Sequence, residues 1–311
     1  MNKISVVIPS KDRTQDIVRC LESISIQTMS SDEVVIVDSS YTEELKSALD
    51  SFENLNIKYF HIEVDKKFKG SQQIAMNVGL DNSNGDILIF LDDDVILDKF
   101  YIENIVYVFE NDSEGKIGGV TGELVVEKKP ISPIKGFLIR CYNVIPSIFF
   151  LQRHGDGRFQ ASGFPTSIKS GSVDKLTNVE FLYGCNMAFR KDVIAKFRFD
   201  ENLNIYGCCF GDDDDTAYRI SREYQNIYTP FAKVVHNMSP VRANKFKKNS
   251  LMIRNHYYLF KKNLPQDLKH KFAFWWSVVG LFVREGLMGV MKQNSSGVKG
   301  LVEGMSGVVK G

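Results

Sequence analysis

Ile87-Leu-Ile-Phe-Leu91 is an unbroken apolar run that ends directly on Asp92-Asp93-Asp94. A short apolar run closed by a polar break suits a strand buried on both faces. Ligands of open α/β sheets bind outside the carboxyl ends of such strands. The pattern recurs toward the N-terminus, where Ile4 to Ile8 ends at Pro9 and Val34 to Val37 ends at Asp38. Ile57 to His61 is a further strand signal. Ile17, Leu21, Ile24 and Thr28 fall at helical spacing, with Cys20 on the same face, and Ile74, Ala75 and Val78 mark a helix starting near Ser71. Strands alternating with amphipathic helices predict an α/β domain with a mostly parallel central sheet flanked by helices.

Toward the C-terminus the spacing predicts a helix over Val95 to Glu110, a strand over Lys116 to Val126, and a loop over Arg153 to Ser172. The apolar stretch from Ile131 to Leu151 is broken by Pro133, Gly136 and Pro146. Strand character returns over Asn178 to Arg190, around Gly184, and the chain after Pro240 reads as helical and basic. No GxGxxG follows the first strand and no GxxxxGK[ST] occurs, which disfavours a dinucleotide site and a P-loop.

The composition is that of a globular protein, 43% hydrophobic and 25% charged over 311 residues. Five scattered cysteines without a CxxC pair suit free thiols in a reducing compartment. The N-terminal stretch goes straight into a strand-like run, so no signal peptide is expected and the expected location is cytoplasmic. The formal net charge of +1 hides an asymmetry: from Val241 onward thirteen Lys and Arg face three acids. A basic tail on an acidic body suggests an anionic surface as partner, with a solvated helical face as the competing explanation. The basic excess is confined to the tail and no zinc-finger spacing is present, so nucleic acid is not an expected partner.

If the chain stays extended through the triplet, Asp92 and Asp94 face one way and Asp93 the other. Two carboxylates on one side repel unless a cation compensates them. A hard divalent ion shared with substrate phosphates does so. The competing explanation is that Asp94 caps the following helix. A second acidic cluster, Gly211-Asp-Asp-Asp-Asp215, opens a helical stretch. There, acids favoured by the helix dipole and an Asp215–Arg219 pair compete with a catalytic role. With the first cluster holding metal and phosphates, the second could supply a general base.

Ser5-Val-Val-Ile-Pro-Ser10, Val35-Ile-Val-Asp38, Asp92-Asp93-Asp94, Gly184-Cys-Asn-Met-Ala-Phe-Arg190 and Gly211-Asp-Asp-Asp-Asp215 follow one another in the order found in glycosyltransferase family 2, which the chain resembles over roughly residues 3–260. The resemblance implies a GT-A fold, a nucleoside-diphosphate-sugar donor, Mg²⁺ or Mn²⁺, and inversion at the anomeric carbon. It implies that Pro9 and Asp38 line the nucleoside pocket, with Asp93 and Asn77 also on the donor side. Asp92 would meet the ribose or metal, and Asp94 would bind the metal. Asp213 would be the catalytic base, with Asp212 standing where Glu is usual. Gly184, Asn186 and Asp212 would lie near the acceptor and donor sugar. His236 matches a metal or pyrophosphate ligand of some GT-A enzymes, and Arg242 and Arg254 are candidates for the departing diphosphate. One departure is Ala75-Met76-Asn77, where family members often carry Ala-Arg-Asn; Lys66, Lys67 or Lys69 could substitute for that Arg.

The expected organisation is a nucleotide-sugar-binding half over 1–120, an acceptor-binding and catalytic half of the same domain over 121–240, and a basic, amphipathic helical region over 241–311. Phe272 to Val283 is nearly all apolar and carries Trp275 and Trp276. It is shorter than a spanning helix needs, so the expectation is interfacial attachment to an anionic membrane surface. The Gly-rich end, 297–311, resembles tails of family members acting on lipid-linked glycans, which implies a saccharide or polyprenyl-linked saccharide acceptor. The rivals are a sugar-nucleotide nucleotidyltransferase, although Pro9-Ser-Lys-Asp-Arg13 lacks that class's glycines, and a non-catalytic sugar- or metal-binding module.

Overall fold

The computed structural model describes residues 2–41, 44–63, 72–126, 144–203, 211–237 and 244–310. The chain forms two compact units. The first comprises Met1–Val125, Ser170–Ile205 and Asp212–Val241; the second comprises Val126–Lys169, Tyr206–Gly211 and Arg242–Gly311. The segment 126–169 groups with the C-terminal helices.

The first unit is built on one sheet. Its strands are β1 (Ile4–Ser10), β2 (Glu33–Asp38), β3 (Ile57–His61), β4 (Ile87–Leu91), β5 (Val95–Leu97), β6 (Ile117–Val125), β9 (Thr177–Val179), β10 (Asn186–Arg190) and β11 (Gln225–His236); the short strands β7 (Arg153–His154) and β8 (Thr166–Ser167) pair in the second unit. The sheet order is β3-β2-β1-β4-β10-β6-β11-β5, with β9 beside β11. The β3-β2-β1-β4 half is parallel, as the continuous apolar runs require. The other half is mixed, because β10 lies antiparallel between β4 and β6.

Alternation along each strand divides the core between the two faces of the sheet. Val6, Ile8, Val34, Ile36, Ile89 and Leu91 pack with α1 (Thr14–Ser25) and α4 (Tyr101–Glu110). Val7, Val35, Val37, Leu88 and Phe90 pack with α3 (Gln72–Asn82), α5 (Lys191–Phe197) and α6 (Asp212–Ser221). Met76 is fully buried in this second face. Burying a Met side chain is worth roughly 1.5–3 kcal/mol, and Met76 cannot also reach a phosphate.

The helix expected from Val95 starts later. Val95-Ile96-Leu97 pairs antiparallel with Val234-Val235-His236, and α4 begins at Tyr101. Sheet pairing wins over helix here because two of the three residues are β-branched and two are buried. Asp94 therefore precedes a strand and caps no helix. The stretch expected as one strand over Asn178–Arg190 is divided into β9 and β10, with residues 180–185 crossing between them.

The second unit holds α7 (Lys245–Asn263), α8 (Leu268–Lys292) and α9 (Ser296–Lys310). Leu151, Phe164, Ile253, Phe260, Phe274, Val278, Leu281 and Leu301 form its core. The glycines of the tail are explained by close packing: a Cβ on Gly300 would sit 2.3 Å from the Phe246 carbonyl oxygen, and one on Gly304 2.5 Å from that of Ser250. One face of α8 is buried, while Phe272, Trp275, Val279, Val283, Leu287 and Val290 are exposed at helical spacing. At about 100° per residue, exposed Lys269 and Lys271 fall on either side of that stripe.

Candidate active site

The site stands where β1, β2 and β4 end. Asp93 turns to one side of the triplet: its Oδ2 accepts from Ser10 Oγ at 2.8 Å and its Oδ1 from Arg13 Nη1 at 2.9 Å. Asp92 and Asp94 turn to the other, toward His236. His236 Nε2 is 2.8 Å from Asp94 Oδ1 and 3.8 Å from Asp92 Oδ2. The chain is not extended here, since residues 93–94 form a turn, so this division does not come from strand alternation, and Arg13 Nη1 also lies 3.7 Å from Asp94 Oδ2. It is β5 that brings His236 in, because His236 is the register partner of Val95.

Three acids in one place strain the electrostatics. Burial pushes Asp92 up to about 7, with Asp94 and Asp93 adding to the rise and His236 opposing it. Burial lifts Asp93 to about 6 against the pull of Arg13 and Ser10. Burial works against a charged His236, yet the hydrogen bond to Asp94, with support from Cys185, holds the imidazolium up to about 10. At neutral pH the ring is thus a cation beside the Asp94 carboxylate, with Asp92 about half protonated.

Asp92, Asp94 and His236 each offer one ligand atom, and these atoms lie within 4.8 Å of one another. Carboxylate oxygens suit Mg²⁺, and adding an imidazole suits Mn²⁺. The donor set fits the ion that the family resemblance implies, with the proton on His236 occupying one ligand position.

Asp213 opens α6. Its Oδ1 accepts from Asp214 N at 2.9 Å and its Oδ2 from Gly184 N at 3.1 Å. Burial raises its pKa, and those two backbone donors oppose the rise. A Cβ on Gly184 would come within 2.8 Å of Asp213 Oδ2, so glycine is required for this contact. The next residue, Cys185, accepts from Asp92 N at 3.2 Å through its carbonyl oxygen. Gly184-Cys185 therefore carries Asp213 on one peptide group and Asp92 on a neighbouring one. Asp215 pairs with Arg219, and that acid of the cluster is structural.

Asp38 is buried and accepts from Ser40 N and from Tyr59 Oη, each at 2.8 Å. Pro9 lies in β1 opposite Val37. Two candidates have structural partners in place of open positions. Asn77 donates to the Phe199 carbonyl at 3.0 Å and to Glu201 at 2.7 Å, and accepts from Phe199 N. Asn186 is fully buried, with Oδ1 accepting from Gly122 N at 2.6 Å. Arg254 belongs to the second unit, where it pairs with Glu303 at 3.3 Å. Asp212 begins α6. Arg242, Lys66, Lys67 and Lys69 lie outside the described residues.

Sequence reasoning gave Arg13 no role. Its Nη1 is 2.9 Å from Asp93 and 3.7 Å from Asp94. The signal was available: a cation three residues past the end of the first strand, in a chain with three consecutive acids at the end of a neighbouring one.

A family model described as glycosyl transferase family 2 matches residues 5–198. The chain is 30% identical over 270 residues to a poly(ribitol-phosphate) β-N-acetylglucosaminyltransferase, TarP, of Staphylococcus aureus (strain N315), covering 81% of this chain and 77% of that one. It is 22% identical over 312 residues to a glucosyl-dolichyl phosphate glucuronosyltransferase of Haloferax volcanii, covering 94% and 88%. Among solved structures, a mannosyltransferase of Pyrobaculum calidifontis in complex with GDP-Man and Mn²⁺ superimposes with a TM-score of 0.56 at 15% identity, over 98% of this chain and 86% of that one. The chain spans less than half the length of the Rickettsia glycosyltransferases it also matches. The family match over most of the chain, the GT-A neighbours and the order of the acidic motifs agree: the chain belongs to glycosyltransferase family 2.

Proposed function

We propose that the chain transfers a sugar, with inversion, from a nucleoside-diphosphate sugar to a hydroxyl of a saccharide or polyprenyl-linked saccharide, in the synthesis of a surface polysaccharide or glycolipid. The observation that carries this reading is the shared Gly184-Cys185 anchor, which sets a partly buried carboxylate beside a cluster suited to a divalent ion. Asp213 accepts the proton of the attacking hydroxyl. Burial lifts its pKa above the ordinary carboxylate range, which moves a general base toward the pH at which it must work. The acceptor oxygen bonds to the anomeric carbon as the bond to the diphosphate breaks, in one displacement without an enzyme-bound intermediate.

Asp92, Asp94 and His236 would hold Mg²⁺ or Mn²⁺, which when bound supplies charge neutralisation for the departing diphosphate. Asp93, pinned by Ser10 and Arg13, orients its two neighbours. Asp38 and Pro9 line the nucleoside pocket. A relative whose printed name is glucosyl-dolichyl phosphate glucuronosyltransferase supports a lipid-linked saccharide acceptor.

The same reading places the protein peripherally on the cytoplasmic face of a membrane. Leu268–Met291 is long and apolar enough to cross a bilayer, but one face is spent on the core of its own unit. The other is an exposed apolar stripe edged by Lys269 and Lys271, which suits a helix lying in an anionic interface. Co-sedimentation with phosphatidylglycerol vesicles but not phosphatidylcholine vesicles, reversed by salt, is the expected result.

The decisive experiment is turnover by purified Asp213→Asn across a panel of nucleotide sugars. A fall of about 10²–10⁴ with nucleotide binding retained is expected; wild-type turnover removes Asp213 from the mechanism. Release of nucleoside diphosphate, as opposed to pyrophosphate, separates glycosyl transfer from nucleotidyl transfer.

A further inference from the structure

We propose that the flank of the first unit beside β5 carries a separate saccharide groove, which grips the acceptor chain away from its reacting sugar and takes neutral or amino glycans in preference to phosphate-bearing polymers. The proposal rests on the glycosyl-transfer reading and adds the chemistry of the acceptor.

The groove is an open surface depression of about 500 Å³ lined by Asp98, Phe100, Glu123, Asp174, Phe231 and Lys233 among others. Phe100 and Phe231 are 41% and 52% exposed. Two phenyl rings held out to solvent in one groove call for an explanation, since each loses the favourable burial its side chain would gain elsewhere.

The backbone shows how Phe231 is presented. β11 slips its register against β6 between Thr229 and Lys233, and such irregularities re-aim side chains. Asn104 then donates to the Phe231 carbonyl at 3.1 Å and fixes the irregular segment. On the other side, Asp98 Oδ1 accepts from Phe100 N at 3.1 Å, and the Lys99 ammonium lies 4.6 Å from the centre of the Phe100 ring. Glu123 is buried and held through Oε1 by Ser170 Oγ and Gly171 N.

A sugar has the complementary surface. Its C–H faces are weakly positive and pack on the negative face of an aromatic ring. Its hydroxyls donate to carboxylates. Three acids against one base in the lining make the groove a poor host for phosphate groups.

Position ties the groove to the reaction. β5 (Val95–Leu97) separates Asp94 at the metal cluster from Asp98 at the groove, a span of roughly 13 Å for extended chain. On the paired strand β11, His236 stands at one end of the pairing and Lys233 at the other. A short run of linked sugars bridges the two.

The test uses the full chain on an array of neutral, amino and phosphate-bearing oligosaccharides, with wild type, a Phe100→Ala/Phe231→Ala double variant and Asp213→Asn. Both phenyl groups are exposed, so the double variant should fold. The expected result is that wild type and Asp213→Asn retain neutral or amino glycans longer than a disaccharide, while the double variant binds them about tenfold more weakly and hydrolyses donor at the wild-type rate. Retention of no glycan, of phosphate-bearing glycans alone, or equal retention by the double variant overturns the proposal. Glycan retention by a wild type that hydrolyses no donor leaves the groove standing and removes the transferase reading.

Discussion

Binding of Mn²⁺ to Asp92, Asp94 and His236 should be driven uphill by protons, and the size of the effect follows from the geometry. His236 Nε2 is 2.8 Å from Asp94 Oδ1 and holds its proton up to about pH 10. A metal ion at that nitrogen must displace the proton. At pH 7 the displacement costs three pKa units, or about 4 kcal/mol at 1.36 kcal/mol per unit. Affinity therefore rises with pH, about tenfold per unit while His236 is the group titrating. Below about pH 7 Asp92 also carries a proton, and the slope steepens toward about two protons per ion. The assay is calorimetric titration with Mn²⁺ between pH 6.5 and 8.5, in pairs of buffers that differ in ionisation heat. The expected release is about one proton per ion at pH 8 and more at pH 6.5, with affinity rising roughly a hundredfold or more over the range. His236→Gln should bind more weakly and release almost no proton at pH 8. Equal affinity at the two ends of the range, with no proton release, would falsify the assignment of His236 as a ligand.

Other consequences follow from single contacts. Gly184→Ala places a methyl group against Asp213 Oδ2; displacing a catalytic group by about 1 Å can cost roughly 10² in rate, so kcat should fall by about that factor with nucleotide affinity kept, and normal turnover would show that the contact is dispensable. Arg13→Gln leaves buried Asp93 with Ser10 but without its cation. Breaking a buried pair costs about 3–5 kcal/mol; since Arg13 is about a quarter exposed, a loss of about 2 kcal/mol in chemical denaturation is expected. His256 is held neutral by burial, its pKa pushed down to about 3, between the rings of Phe164 and Phe274. A depressed folded pKa means that this stability is complete above the unfolded value of about 6.5 and drains away as pH falls toward 3. Between pH 6.5 and 4.5 that is about 3 kcal/mol, and urea midpoints of His256→Phe should lack this part of the acid sensitivity.

Much of the fold was legible because its strands are buried on both faces. Runs such as Val34 to Val37 carry no helical period, and each ends on a residue at the rim of the site. The helix predicted from Val95 was misread because three apolar residues carry no period of their own; their partner strand lies some 140 positions later, beyond any local signal. The sides of the triplet were not legible from alternation, because the chain turns at residues 93–94 before β5 begins. Nor were the partners of Asn77 and Asn186. A motif asparagine looks available for a ligand until the fold supplies Phe199 and Gly122 to occupy its amide. Arg13 went unread because its role depends on two neighbouring strand ends 80 residues apart in the chain. The glycines of the tail mark where α9 approaches α7, a contact that no local pattern in the sequence announces.

Because Asp213 hangs from the amide of Gly184 and Asp92 hangs its own amide on the carbonyl of Cys185, the groups proposed for proton removal and for the leaving diphosphate share a single hinge pin. A tilt of that crossing between β9 and β10 displaces the anchors of both groups at once. Variation in this crossing would consequently retune the reaction as a unit, while the rims that choose nucleotide and glycan remain free to diverge.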